Sequence, residues 1–279
     1  MKKNCILIAA HKNHNQIIRL INHLKTDFDL YVHIDKKSTL DIKSFDNVNI
    51  YKKYKVYHGG VSQVITTLFL LKEAAKNNYD RYIFISAQDV PLKTNKEIVD
   101  FFDTNKNKEY ISYENIENSE AIYKEMSFRI NAYNFGKLYR KLLSRKFREL
   151  ISNFPPIKRI TPKNIYYGSS WWNLTNNAIQ YILDYIEQNP NYLKRFNYTW
   201  GSDEFFFQSI LLNSKFKDNC VNDCLRYLVW NGGTPFNLEM KDYDDIKNNI
   251  NDNLFARKFD ENMDNDIIDK LYKDLENSN

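Results

Sequence analysis

The chain has few of the residues that break or staple a fold. Its 279 residues include 7 glycines, 6 prolines and 3 cysteines. So little glycine and proline excludes collagen-like and low-complexity architectures. Cys5, Cys220 and Cys224 are too few for a disulfide framework, and no histidine follows them at zinc-ligand spacing. No window approaches the ~20 apolar residues that a membrane span requires. The apolar run over residues 5–10 is too short for a secretory leader and stops at His11. These absences predict a cytoplasmic, reducing location. Glycine-rich phosphate cradles are missing as well: neither GxGxxG nor GxxxxGK[ST] occurs, and there is no HExxH or GxSxG. Asp-x-Asp triplets start at Asp27, Asp242 and Asp264, but none directly follows a strong apolar strand. No metal site is predicted.

What is present is apolar and aromatic. Hydrophobic residues make up 43%, with 20 Tyr, 18 Phe and 4 Trp, enough to bury a core and exclude a disordered chain. Lys and Arg number 40 against 35 Asp and Glu, a net +5 spread over most of the chain. That spread argues against a nucleic-acid partner, which requires a concentrated basic face.

The first forty residues read strand, helix, strand. Residues 5–10 and 30–34 are apolar runs, and Ile17, Leu20, Ile21 and Leu24 recur at helical spacing between them. The βαβ pattern continues through a short strand at 48–51, a helix opened by Ser62 as cap, and the strongest strand at 81–86. Thr94 and Glu97 form a capping box for the next helix. From 111 to 162 the pattern loosens. Residues 136–154 interleave Lys137, Arg140, Lys141, Arg145, Lys146 and Arg148 with leucines and Phe147 on one helical stripe. Two readings apply: a surface helix packed on the domain with a solvated basic face, or a helix lying on anionic membrane. Order returns at 166–174, with Thr175 capping a helix, a late strand at 225–230 and a closing helix at 267–275. This predicts one α/β domain with a basic helical insert.

Ligands of such sheets bind beyond the carboxyl ends of the strands. Polar turns stand there at His11, at Asp35, at His58 to Ser62, and at Asp89. Ser202 reads as a cap that places Asp203 and Glu204 in a first helical turn. Adjacent helical side chains diverge by about 100°, so one carboxylate would act as general base and the other would orient or cap. A structural acid pair favoured by the helix dipole is the alternative. Trp171 and Trp172 lie in a strand-like run, one indole inward and one outward, where an exposed ring would suit a sugar face and a buried one a core.

Seven blocks occur in one order: Ala9-Ala10-His11-Lys12, His33-Ile34-Asp35-Lys36, Tyr57-His58-Gly59-Gly60-Val61-Ser62, Asp89-Val90-Pro91-Leu92, Gly168-Ser169-Ser170-Trp171-Trp172, Ser202-Asp203-Glu204 and Ala256-Arg257-Lys258-Phe259-Asp260. The series resembles the core-2/I-branching β-1,6-N-acetylglucosaminyltransferase family, which includes the peptide O-xylosyltransferases. The resemblance implies a GT-A-like, Rossmann-like domain with a mixed central sheet. It implies an inverting transfer from a UDP-sugar to a glycan hydroxyl, with GlcNAc as first donor and xylose or another hexose behind it, and no divalent metal or other cofactor. It implies Glu204 as catalytic base. His11, Asp35, His58, Ser62 and Asp89 would face UDP, with Arg226, Arg257 and Lys258 near its diphosphate. Trp171, Trp172 and Asp203 fall on the acceptor or sugar side. Residues 1–110 become the nucleotide-binding half, 111–165 the insert and 166–279 the acceptor and catalytic half of one domain. Without the animal members' anchor and cysteines, the chain reads as a bacterial relative working on surface polysaccharide or glycoconjugate. Its acceptor could be lipid-linked, with peripheral membrane contact through 137–151 on the inner face. A non-catalytic glycan- or nucleotide-binding module and a glycoside hydrolase are the competing classes.

Overall fold

The computed structural model describes residues 3–231 and 234–278, apart from the side chains of Lys137, Asn231 and Thr234. Seven strands make the central sheet: β1 (Asn4–Ala10), β2 (Asp29–Ile34), β3 (Val48–Tyr51), β4 (Arg81–Ser86), β5 (Glu109–Ile111), β6 (Trp172–Thr175) and β7 (Cys220–Val221). Their spatial order is β7-β5-β6-β4-β1-β2-β3. The β3-β2-β1-β4 half is parallel, while β6 runs antiparallel between β4 and β5. The sheet is therefore mixed, as the family resemblance implies.

Helices α1 (His14–Leu24), α2 (Val61–Ala74) and α3 (Asn95–Thr104) precede the insert, and α4 (Glu120–Asn131), α5 (Lys137–Leu142) and α6 (Arg145–Asn153) lie in it, the last two in its basic stretch. After it come α7 (Asn176–Gln188), α8 (Pro190–Arg195), α9 (Phe206–Leu212), α10 (Tyr243–Asn248) and α11 (Asp266–Asn277). The strand period of two divides β1 between two cores. Cys5 and Leu7 join Val64, Leu68 and Leu71 of α2 on one face. Ile6 and Ile8 join Ile17 and Leu20 of α1 and Ile98 of α3 on the other. Burial on both faces is why β1 and β4 read as continuous apolar runs.

The caps at Thr94 and Thr175 form as expected. Thr94 Oγ1 accepts the Glu97 N–H at 3.2 Å, and Thr175 Oγ1 accepts the Ala178 N–H at 3.2 Å. Ser62 does not cap α2. Gly60 holds that position, and Ser62 Oγ instead accepts the Tyr57 N–H at 2.8 Å, bracing the turn before the helix. Ser202 is not a cap either: its hydroxyl donates to the Thr199 carbonyl at 3.1 Å, and residues Ser202–Glu204 form a 3-10 turn ahead of α9.

A small second sheet pairs Arg226–Leu228 with Phe255–Arg257, and Phe255–Arg257 with Val90–Pro91. It draws the C-terminal segment over the end of β4. The basic stretch is two short helices, not one, because the chain breaks at Leu143 and Ser144 Oγ accepts the Phe147 N–H to start α6. Much of its apolar stripe is not covered by the domain. Leu138, Leu142 and Leu150 are 68%, 70% and 69% exposed.

Candidate active site

Strands β1, β2 and β4 end together, with Ala10 paired to Ile34 and Ala9 to Ser86. His11, Asp35 and the turn at Asp89 therefore leave from one edge. Asp35 is nearly buried. Its Oδ1 accepts the N–H groups of Lys37 at 2.9 Å and Val56 at 3.1 Å, tying the turn after β2 to the segment before α2. Tyr57 is exposed beside it, with the Lys37 ammonium 4.3 Å from its ring centre. His11 is exposed, and burial of its imidazole together with the neighbouring Lys12 lowers its pKa. His58 is exposed and stands edge-on to Trp200, ring centres 5.4 Å apart.

The cationic side of the site has a sealed part and an open part. Asp89 is fully buried and accepts from Arg257 Nη1 at 2.9 Å, with Arg226 Nε 3.7 Å from its other oxygen. Burial pushes the Asp89 carboxyl up, and the two arginines oppose that shift. The Arg226 side chain is sealed too, donating to the Phe84 carbonyl at 2.9 Å and to Asn173 Oδ1 at 3.3 Å. Asp89 and Arg226 are thus corrected. They do not face the opening: the Asp89 carboxylate holds Arg257, and Arg226 is drawn to the other oxygen of the same carboxylate. Arg257 lies with its guanidinium 4.4 Å from the Trp171 ring centre. Lys258 next to it is half-buried and has no ion-pair partner among the described residues. Burial, Arg257 and Lys12 lower its pKa, opposed by Asp260. Lys12 is itself paired with Asp260.

The acid pair sits across from this. Gly201 has φ +74°, and its N–H donates to the Gly59 carbonyl at 2.7 Å. A Cβ on Gly201 would overlap the Arg129 guanidinium, and one on Gly59 would overlap the Trp200 ring, so only glycine permits this approach. Asp203 points inward: Oδ2 accepts from the Ser170 hydroxyl at 2.5 Å and Gln63 Nε2 at 3.1 Å, and Oδ1 is buried without a partner. Glu204 points to the opening, its side chain 38% exposed, with Oε2 accepting from Arg129 Nη2 at 2.5 Å. Burial raises both carboxyls, opposed by Ser170 at Asp203 and by Arg129 at Glu204.

The two indoles divide as strand geometry requires. Trp172 is fully buried against Phe84 and Phe207, so it is core and not a sugar platform. Trp171 is half-buried under Arg257. Because Ser170 holds Asp203 while Trp171 carries Arg257, consecutive residues join the acid pair to the cationic wall. Arg129, Gln63 and Trp200 were not expected from the sequence. Arg129 comes from the segment where periodicity fades, and nothing in its spacing marks it. Among the described residues no group of three His, Cys, Asp or Glu side chains is gathered around a common point.

A sequence profile of the Core-2/I-Branching enzyme family matches residues 8–255. The chain belongs to the Core-2/I-Branching enzyme family. Curated relatives include rat xylosyltransferase 2, 24% identical over 92% of this chain and 31% of its own length, and rat xylosyltransferase 1, 23% identical over 95% and 34%. The chain spans about a third of these relatives. A solved structure named for nucleotide-diphospho-sugar transfer, from Desulfovibrio desulfuricans, aligns over 40% of this chain and 58% of its own at 10% identity and a TM-score of 0.28, too little to carry an argument. No helix among the described residues of this Core-2/I-Branching family member is long and apolar enough to cross a membrane.

Proposed function

We propose that this family member is an inverting, metal-independent glycosyltransferase that moves a sugar from a UDP-sugar to a hydroxyl of a glycan acceptor. GlcNAc is the first donor to test. The names of the relatives make xylose the second. The proposed setting is bacterial surface polysaccharide or glycoconjugate synthesis. One observation carries the reading: an open carboxylate, Glu204, shares a continuous wall of side chains with Lys258, a cation that no carboxylate pairs among the described residues.

The chemistry follows from that wall. Glu204 Oε2 is occupied by Arg129, leaving Oε1 to take the acceptor proton. As the acceptor oxygen bonds to the sugar's anomeric carbon, the bond from that carbon to the UDP oxygen breaks and its electron pair leaves with the diphosphate. Lys258 and Arg257 stabilise the charge that develops there. Asp203 supports the turn through Ser170 and Gln63. Asp35, His11, His58 and Ser62 border the proposed nucleoside side, where Asp35 and Ser62 shape the turns.

A screen of UDP-sugars for UDP release, with and without acceptor glycans and with excess EDTA, tests this. Acceptor-dependent release that survives EDTA is expected. Strict dependence on added Mn²⁺ would refute the metal-free assignment. Glycoside cleavage without any nucleotide donor would replace transfer by hydrolysis, and absence of both activities would leave a binding module.

A further inference from the structure

The insert carries a surface that the proposed reaction does not use. Residues 131–165 contain nine Lys or Arg and a single acid, Glu149. The whole chain is only +5, so everything outside the insert is net acidic. Glu149 is neutralised by Arg145 at 3.0 Å. Lys141, Lys146, Lys158 and Lys163 are exposed and have no ion pair among the described residues.

Large apolar side chains stand exposed among these lysines. Leu138 and Leu142 lie four apart on α5, and Phe147 and Leu150 lie three apart on α6, with Phe154 and Ile160 beyond. Residues three or four apart share a helix face, so Lys146 stands over Leu150. A cluster of this kind marks an interaction surface, because isolated exposed apolar residues are ordinary but contiguous ones are not.

We propose that residues 135–160 dock on an anionic lipid bilayer. The leucines and phenylalanines would enter the boundary between headgroups and acyl chains, and the unpaired lysines would meet lipid phosphates. The charge decides the occupant: nine cationic side chains against one acid suit a surface of lipid phosphates, and two copies meeting through this same face would repel. The surface is also fixed to the turn that bears Glu204. The Arg140 guanidinium stacks 3.4 Å from the Trp200 ring centre, and the Trp200 N–H donates to the Arg129 carbonyl at 3.1 Å. Docking would hold Glu204 beside the membrane, where a lipid-linked glycan is displayed. That consequence rests on the proposed transfer, whereas the docking itself does not.

Sedimentation of the full chain with vesicles tests it, without any sugar donor present. Phosphatidylcholine vesicles are compared with vesicles containing about a quarter phosphatidylglycerol, at about 0.1 M salt and again near 0.5 M. Binding at least about tenfold stronger to the anionic vesicles, weakened by salt, is expected. Leu142→Asp combined with Leu150→Asp should reduce it at least about tenfold, as should Lys141→Glu with Lys146→Glu. All four positions are exposed, so unchanged melting of the variants checks that they fold. Equal binding to both vesicle types, or variants that bind like the parent, overturns the proposal. So does a lipid-free dimer that the leucine variant converts to monomer. Because no donor is used, failure here leaves the transfer reading intact, and absence of UDP release leaves this result intact.

Discussion

Two arginine–carboxylate assemblies stand at opposite sides of the site. Around Asp89 the carboxylate and Arg226 are sealed from water, while Arg257, bonded to the same carboxylate, keeps 10% of its side chain exposed. Around Glu204 one arginine holds one oxygen while the side chain stays open. The sealed pair, Asp89 and Arg226, cannot exchange partners with a substrate, because desolvation makes an unpaired buried charge costly. Charges around Glu204 can. The same residue types thus serve architecture in one place and chemistry in the other, and burial separates the roles.

Breaking the open assembly should have the larger effect on turnover. Glu204→Gln is expected to lower kcat by about 10²–10⁴-fold while UDP binding by calorimetry stays near parental. Near-normal turnover would move the base elsewhere. Breaking the sealed assembly should act on stability. Asp89→Asn leaves two buried guanidiniums without their anion and should cost about 3–5 kcal/mol in urea unfolding. A loss below about 1 kcal/mol would mean that water reaches the triad. The subtlest test is Arg129→Gln. A general base works ionised, and burial already raises the Glu204 pKa, so the acidic limb of kcat/KM lies above that of an ordinary glutamate. Removing the opposing cation favours the protonated form, and the limb should move to higher pH. An unmoved limb would make Arg129 a packing residue only.

Local chemistry was legible in the sequence wherever one segment contains the whole reason for its structure. The apolar runs of β1, β2 and β4, the Thr94–Glu97 box and the Thr175 cap are of this kind. Ser62 misled because a serine near a helix start can cap it or brace the preceding turn, and only the position of Tyr57 decides. The break at Leu143 was hidden by an apolar stripe that continues across it. Placement by distant partners was not legible. Arg226 looks available as a string of letters and is sealed because Phe84, Asn173 and Asp89 converge on it. Glu204 was found through its block, but its counterion Arg129 lies 75 residues away.

The position of β6 has a consequence for how the chain is made. β4 and β5 both pair with β6, which comes from residues 172–175. A ribosome releasing the chain from its N-terminus therefore exposes β4 with one open edge through the whole insert, and β5 waits without a neighbour until β6 emerges. Unpaired edges of that sort invite other strands. The arrival of four residues, 172–175, covers the open edge of β4 and gives β5 its first neighbour, and β7 adds the last strand beyond it.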